Sequence, residues 1–498
     1  MASAQVIFDY RGYIESDLRF SIPGKDEPDD VSDFRFVRSD NTARLTATLS
    51  GDAVRAVADL AVIFTGRPET TTADDLVNRS KVDPFRLESD ALYVSIDDFI
   101  APGMDLRLGR QIVRWGTADM FNPTSSLNAY DFEDPLKFGE AVATEMVSLT
   151  YNIPWSVEGE DSTIVDDVTL SVAVVPYFRP ALLPESALLA FSEPSLFNQF
   201  VDSAILKGLL VEQDLFLAAG GKAVYDIDVQ TPDLSVRNLQ VGARFGMSLL
   251  GVDWSISYYR GFDDAPRAET IVAGDIRLPK VPLASPTDTV AVLKELDFTG
   301  VTVDTHVTMT YPRVQVFGAD FSTSLDFLGG LGLWAEFALT LHDDLYRYVR
   351  TSGAILPVGG PNGTPVSGVA REYLELEAEA GPFWKLTVGT DYSLTAWWYV
   401  NIQYLHGFPD EFGETNLNDY LVAGSDFKLF RDQMLIRLFA ILQFQDLSYV
   451  LYPQLTFDFW QNVDVSVGAF VFGGDSDSKF GSRVTGPSTV FLKGRYSF

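Results

Sequence analysis

Apolar and polar residues alternate along most of this chain. In one C-terminal stretch, Met434, Ile436 and Leu438 occupy one register, while Arg437 and Gln443 occupy the other. An alternation with period two places successive side chains on opposite faces of a β-strand. The pattern therefore predicts strands that have one apolar face and one polar face.

The alternating runs are long enough to cross a membrane. Many of them continue for about ten residues, which is the length of a tilted membrane-spanning strand. We predict about 18 strands, at approximately residues 5–20, 41–50, 53–65, 87–97, 103–114, 143–153, 166–177, 236–248, 252–262, 302–325, 330–341, 371–392, 397–407, 418–429, 432–446, 449–459, 462–473 and 487–498. An even number of antiparallel strands can close into a barrel, and closure removes the unpaired edges that are costly in lipid. The predicted fold class is an all-β transmembrane antiparallel β-barrel, formed as one domain by residues 5–498.

Two of the predicted strands are unusual. The strand at 371–392 keeps one register through Gly381, which predicts a single long strand rather than two short ones. The strand at 103–114 places Arg110 in the apolar register. A charge that faces lipid costs roughly 2–4 kcal/mol at the bilayer midplane. We therefore expect either a bulge at Arg110 or a position above the membrane.

The connections between the predicted strands alternate between short and long. Long segments lie at roughly 66–86, 115–142, 178–235, 263–301 and 342–370. Short periplasmic turns and long extracellular loops are typical of outer-membrane barrels. The segment 178–235 also carries apolar residues at helical spacing, so we expect it to be partly helical. It could form an extracellular packing helix, plug or cap the lumen, or contact a partner.

The N-terminal residues and the composition limit the functions that this protein can have. Residues 1–4 look like an added Met1 followed by the remnant of a signal-peptidase site, which predicts secretion. The formal net charge of −32 argues against nucleic-acid binding, which needs a basic surface. The chain has no cysteine, so disulfides, a thiol nucleophile and thiolate metal ligands are excluded.

Several stretches resemble a known family. They are LRLGRQIVRWGTADMFNPTSSLNAYDF at 106–132, VFGADFSTSLDFLGGLGLWAEFAL at 316–339, LTVGTDYSL and YVNIQYLHG within 386–407, and the terminal Tyr496-Ser497-Phe498. They resemble a family of large proteobacterial outer-membrane β-barrel proteins that is distantly akin to the alginate-export porins. The resemblance covers most of the chain and implies a barrel of about 18 strands. It also implies a role in export beside inner-membrane exporters of lipids or hydrophobic substrates.

The polar register of the predicted strands faces the lumen, and its charged side chains are the predicted pore-lining residues. They are Asp9, Arg11, Arg44, Arg55, Asp59, Arg107, Arg244, Asp320, Glu336, Glu375, Glu377, Glu379, Lys385, Arg437, Lys493 and Arg495. When the other inward charges such as Glu15, Asp17 and Asp464 are included, acidic residues outnumber basic ones. A polyanion conduit needs a basic lumen. The predicted lumen therefore departs from the alginate-export pattern and favours neutral or cationic solutes.

Acidic clusters raise the question of a bound cation. Glu375, Glu377 and Glu379 share one strand face, and acidic loops occur at 26–30 and 131–134. Hard cations such as Ca²⁺ prefer oxygen ligands. The alternatives are a wall ladder paired with arginines and ordinary solvated loops, and we expect no required cofactor.

The first and last predicted strands should meet where the barrel closes. We expect Asp9, Arg11, Lys493 and Arg495 to form an ion network at this seam, or a constriction if the lumen is narrow. The closing strand ends on the aromatic Phe498. Its resemblance to other outer-membrane strands implies recognition by the barrel-insertion machinery. Further expected partners are outer-membrane lipid, lipopolysaccharide and other envelope proteins.

These features predict an integral outer-membrane channel or export porin that passes small polar or lipid-like solutes. The alternative is a closed structural or partner-binding barrel that serves a multi-protein envelope complex. We expect no enzyme activity, because His306, His342 and His406 show no spacing that marks a catalytic triad.

Overall fold

The computed structural model describes residues 6–22, 36–70, 72–134, 139–159, 163–184, 220–273, 302–351, 376–476, 478–481 and 485–498. Four sequence-based expectations fall on other residues and lie outside this description. They concern the signal-peptide remnant at 1–4, the acidic loop at 26–30, the helical stretch within 178–235, and Glu375.

The described ranges contain twenty-five strands, numbered in chain order. They are β1 (Ile7–Ser21), β2 (Phe36–Ser50), β3 (Val54–Thr65), β4 (Phe85–Glu88), β5 (Leu92–Ile96), β6 (Met104–Gln111), β7 (Thr144–Asn152), β8 (Val157–Glu158), β9 (Thr163–Val175), β10 (Lys222–Val229), β11 (Gln240–Leu249), β12 (Val252–Phe262), β13 (Arg267–Ala273), β14 (Thr302–Thr310), β15 (Arg313–Leu325), β16 (Leu331–His342), β17 (Leu345–Thr351), β18 (Leu376–Glu379), β19 (Phe383–Thr395), β20 (Trp398–His406), β21 (Asp419–Leu429), β22 (Met434–Gln443), β23 (Tyr449–Trp460), β24 (Val463–Gly473) and β25 (Thr489–Ser497).

Helix is scarce in this part of the chain. The only α-helix described, α1, is Arg79–Val82. Short 3₁₀ turns occur at Asp74–Val77, Val236–Asn238, Asp326–Leu328 and Glu414–Asn416. Among the residues that the structure places, no helix is long and apolar enough to span a membrane.

The main sheet closes on itself. Its 20 strands form one antiparallel ladder in which β1 pairs with both β2 and β25. The strands β4 and β5 pair with the two halves of β3, so they are pieces of one interrupted wall strand, and β8 only extends the pairing of β9. The wall is therefore a closed antiparallel barrel of 18 strands, which confirms the predicted fold class.

The two faces of the wall differ as the alternation predicts. Along β12, Ile256 is 63% exposed on the outer face, whereas Ser255 is 4% exposed on the inner face. Large apolar side chains such as Leu45 and Phe317 repeat this outward exposure around the barrel. An apolar outer band is what lipid requires of a spanning barrel.

A second sheet of five strands is formed by the long connections. Its order is β10-β14-β13-β17-β18, with parallel pairing between β10 and β14 and between β13 and β17. The prediction of one continuous strand at 371–392 is wrong, because Gly381 takes a positive φ of 83° and separates β18 from β19. The predicted strand at 302–325 likewise divides into β14 and β15. Pro312 lies at this division. Proline has no N–H to donate to a strand ladder, so it interrupts the strand there.

The charge at Arg110 is balanced by a neighbour. The pairing of β6 with β5 and β7 continues through Arg110 without a register shift, so the expected bulge is absent. Instead, Arg110 Nη1 lies 3.0 Å from Glu145 Oε1, and Arg179 Nη2 lies 2.7 Å from Glu145 Oε2. This ion cluster sits at the rim of the long connections, where a charged group is less costly than at the midplane.

Candidate functional site

Between β6 and β7, the described residues 112–134 and 139–143 pack into the lumen. The main-chain N–H groups of Thr117 and Ala118 donate to the carboxylate of Glu336, and the hydroxyl of Thr124 donates to the same carboxylate at 3.0 Å. Glu336 points inward from β16 and is fully buried. We call residues 112–134 and 139–143 the inner segment.

Further contacts tie the inner segment to other parts of the wall. The hydroxyl of Thr387 on β19 donates to the carbonyl oxygen of Phe121 at 3.0 Å. Near the other end of the inner segment, Asp134 forms ion pairs with Arg19 of β1 at 2.5 Å and with Arg38 of β2 at 2.6 Å. Because β19 and β1 lie far apart around the barrel, the inner segment crosses the lumen.

Apolar packing supports the same position. Trp115 and Leu127 of the inner segment are buried in a cluster with inward-facing wall residues that include Val175 and Tyr259. Gly242 of β11 lies beneath Trp115, and a Cβ atom there would approach the indole ring to 2.6 Å. A glycine is therefore required where the ring rests on the wall.

The sequence predicts a long loop at 115–142, and the structure adds that the described part of this loop packs against the inner wall. Its sequence contains a signal that could have revealed this, because apolar residues such as Trp115, Phe121 and Leu127 recur in it, and all three are buried. A solvated loop would not need such residues. Whether 178–235 also enters the lumen stays a prediction, since most of that segment lies outside the described residues.

One cavity of about 380 Å³ lies between the inner segment and the wall formed by β20–β24. We call it the aromatic chamber, because its lining includes Tyr399, Phe439, Tyr452, Phe470, Phe472 and Phe480. Its charged lining residues are Asp119, Asp426 and Arg437, and Asn401, Ser425 and Thr485 are among its uncharged polar ones.

A second cavity of about 470 Å³ lies beside β3, β5, β6, β7 and β9. Its charged lining consists of Arg55, Arg107, Arg114, Asp97 and Asp105, so we call it the arginine chamber. The guanidinium carbon of Arg107 lies 4.6 Å above the centre of the Tyr93 ring. The inner segment contributes residues to both chambers, so it narrows the lumen without filling it.

Several predicted pore-lining charges are paired with one another across strands. Arg44 of β2 bonds to Asp59 of β3 at 2.5 Å. Arg244 of β11 lies 3.4 Å from Asp320 of β15. Such cross-strand pairs reduce the net field in the lumen. Whether these groups line an open pore stays a prediction.

Glu336 and Lys385 are inward-facing but covered. The inner segment covers Glu336, as described above. The ammonium group of Lys385 donates to the carbonyl oxygens of Phe408 at 2.8 Å and Pro409 at 3.1 Å, in the connection that follows β20. Both side chains therefore anchor inward connections to the wall.

The ion network at the closing seam has different partners from those predicted. Arg495 pairs with Glu15 at 2.6 Å, and Lys493 lies 3.7 Å from Glu15 and 3.8 Å from Asp17. The exposed residues Asp9 and Arg11 extend past the last residues of β25. The tilt of barrel strands staggers their register, and this stagger moves the pairing along β1.

The acidic clusters are placed differently from one another. The backbone of Glu377 and Glu379 belongs to β18 in the five-stranded sheet, where these residues pair with β17 instead of lying in the barrel wall. In the acidic loop at 131–134, the carboxylates of Glu133 and Asp134 bond to arginines, with Glu133 3.3 Å from Arg38. Among the described residues, no group of three or more potential metal ligands occurs.

Asp264, just after β12, contacts the inner segment, and its titration should make the stability of the folded protein depend on pH. Its Oδ2 accepts a hydrogen bond from Tyr130 N at 2.7 Å. Burial and then the charge of Asp263 raise the pKa of Asp264 to about 7. The folded protein thus holds this proton more tightly than the unfolded chain, whose aspartates titrate near pH ~3.9. Stability should therefore fall as the pH rises from about 4 to about 7, and then level off.

The melting temperature in detergent tests this expectation. The native protein should melt at a lower temperature at about pH 8 than at about pH 5, and Asp264→Asn should reduce that difference. An equal pH dependence in both proteins would show that Asp264 is not responsible.

Solved structures resemble this barrel over nearly its whole length. OccAB3 of Acinetobacter baumannii matches with a TM-score of 0.47 and 7% identity, covering 99% of both chains. OccK5 (OpdH) of Pseudomonas aeruginosa matches with a TM-score of 0.45 and 8% identity, covering 99% of this chain and 97% of the other. The outer-membrane channel DcaP of A. baumannii matches with a TM-score of 0.37 and 10% identity, covering 100% of this chain and 99% of the other. No protein-family model and no curated protein matches the chain. At these values the likenesses carry no argument about cargo.

Proposed function

We propose that this protein is an integral channel of the bacterial outer membrane that passes small polar or lipid-like solutes. The observation that carries the proposal is the inner segment, which narrows a closed barrel but leaves chambers of about 380 and 470 Å³. A barrel built only as a scaffold could be filled by side chains, whereas a channel needs space and polar groups along its path.

The outer surface supports the membrane location. Apolar side chains face outward around the wall, and exposed tryptophans lie at the short connections: Trp397 is 48% exposed and Trp460 is 60% exposed. Indole rings prefer the interface between lipid and water. These features support a barrel that is inserted with its short connections at one membrane surface.

Each of the three histidines has a partner at its Nδ1 atom. His306 contacts Asp226 at 3.0 Å in the five-stranded sheet, and His406 contacts Asp419 at 2.9 Å at the end of β20. His342 bonds to the carbonyl oxygen of Asp343. A hydrolytic relay would need a nucleophile on the other ring nitrogen. The proposal assigns these histidines no catalytic role and includes no reaction.

Planar-bilayer recording tests the channel directly. The purified barrel should produce discrete conductance steps in KCl if the proposed path runs through the two chambers beside the inner segment. With about a tenfold KCl gradient, the reversal potential should indicate preference for K⁺, since the net charge of −32 concentrates cations near the mouths. Heat-unfolded protein at the same concentration provides the control.

The alternative functions give different results in that experiment. A closed structural barrel would insert without conductance steps, which would refute the channel. A preference for Cl⁻ would retain the channel but overturn the expected cation selectivity. Export of a lipid-like solute would require the same open path, so silence would also refute an export role.

A further inference from the structure

The aromatic chamber differs from the polar wall expected of a water-filled barrel. The inward faces of β20–β24 carry buried apolar residues, among them Leu405, Val422 and Val450. A general diffusion pore presents polar side chains to its lumen. Aromatic rings around a cavity of about 380 Å³ instead suit a solute with an apolar ring of its own.

One polar side chain at this chamber lacks a partner. Asn401 is 6% exposed, and its Nδ2 has no hydrogen-bond partner within the described ranges. Its Oδ1 already accepts a bond from Gln403 Nε2 at 3.0 Å. A buried donor without an acceptor is unfavourable, and a ligand oxygen that accepts from it removes this penalty.

The charges at the chamber favour a cation. Arg437 binds Asp426 through two bonds, at 2.6 and 2.8 Å, so these two charges neutralise each other. Asp119 of the inner segment also lines the chamber and is exposed. The lining charges therefore sum to one negative charge, carried by Asp119. The surrounding aromatic faces add a cation–π attraction to a bound cation.

We propose that the aromatic chamber is a binding site for a small aromatic amine that carries an oxygen substituent. The ring packs against Phe439 and its aromatic neighbours, the ammonium group lies near Asp119, and the oxygen accepts from Asn401. This inference rests on the proposed channel function, because it identifies the class of solute that binds in the chamber during passage through the channel. It adds a site and a solute chemistry to that function.

Calorimetric titration of the full-length barrel in detergent tests the site with four matched probes. Tyramine carries ring, ammonium and hydroxyl; tyrosol is neutral, 4-hydroxyphenylacetate is anionic, and phenethylamine lacks the ring hydroxyl. We expect tyramine to bind about tenfold or more tightly than 4-hydroxyphenylacetate, a ratio that corresponds to about 1.4 kcal/mol. Tyrosol and phenethylamine should fall between them. Equal affinities for tyramine and 4-hydroxyphenylacetate would overturn the proposal.

Three variants assign the contacts. Asp119→Asn should remove most of the preference for the amine, whereas Asp52→Asn, which removes the same charge from a short connection, should leave it unchanged. Asn401→Ala should abolish the advantage of tyramine over phenethylamine, and Phe439→Leu should weaken every probe. If Asp119→Asn retains the full preference, the site assignment is wrong even if the variants of Asn401 and Phe439 behave as expected.

The outcome is separable from that of the channel proposal. Conductance with equal binding of all four probes would refute the amine site and leave the channel standing. Selective tyramine binding by a barrel that never conducts would establish the site and refute the channel.

Discussion

Replacing Glu336 by alanine should release the inner segment and increase the conductance of the barrel. The Glu336 carboxylate accepts bonds from Thr117 N, Ala118 N and the Thr124 hydroxyl. A hydrogen bond contributes about 0.5–1.5 kcal/mol, and a buried donor left without an acceptor costs about 1–3 kcal/mol. The variant would leave three such donors beside an apolar methyl group. We therefore expect the largest change in pore size from this single substitution.

Single-channel recording of Glu336→Ala measures this effect. The steps should be larger and noisier than those of the native protein, because the inner segment then samples several positions. Glu336→Gln should lie in between, since the amide keeps an oxygen acceptor for the two main-chain N–H groups. Glu414→Ala, at an exposed residue of a 3₁₀ turn, is the matched control. Unchanged steps in Glu336→Ala would mean that the inner segment does not define the narrow part of the path.

Deleting Phe498 should impair assembly far more than it impairs conductance. Phe498 N donates to Gly12 O, and Gly12 N donates to Phe498 O, both at 2.9 Å. The Phe498 ring also lies over Gly12, where an added Cβ would come within 2.8 Å of it. Removing Phe498 leaves two main-chain groups unpaired at the closing edge, and each such group costs several kcal/mol in lipid.

The folded fraction can be read from the heat-modifiable mobility of the barrel on unboiled gels. The deletion should lower this fraction strongly, while the molecules that do insert should give native conductance steps. Phe498→Leu retains the main-chain bonds and tests the contribution of the ring to recognition by the insertion machinery. Native assembly of the deletion variant would contradict both roles.

The direction in which each side chain points was predictable because it depends on local alternation. On β12, Ser255 and Ile256 lie on opposite faces, as their positions in the pattern require. The closed barrel follows from the same pattern, since strands with a lipid-facing side must all find partners. The length and number of the alternating runs were therefore sufficient for the fold class.

The pairing of individual residues was not predictable in the same way. Arg495 meets Glu15 instead of Asp9 or Arg11, because the stagger between the first and last strands shifts their contacts. Alternation is unchanged when one strand slides by two residues against another. The break between β18 and β19 was not predicted for a related reason. Gly381 turns the chain, but the alternation of apolar and polar residues keeps the same register on both sides of it.

For this protein, the sequence by itself determined the barrel, its number of strands and the two faces of its wall, because strand periodicity is a property of neighbouring residues. Only the tertiary structure decided that the inner segment enters the lumen, that Glu336 binds it, and that an aromatic chamber with Asp119 and Asn401 forms beside it. These features join residues that are distant along the chain, as Thr117 and Glu336 are. Such contacts arise when the barrel closes and brings the strands that carry them around one lumen.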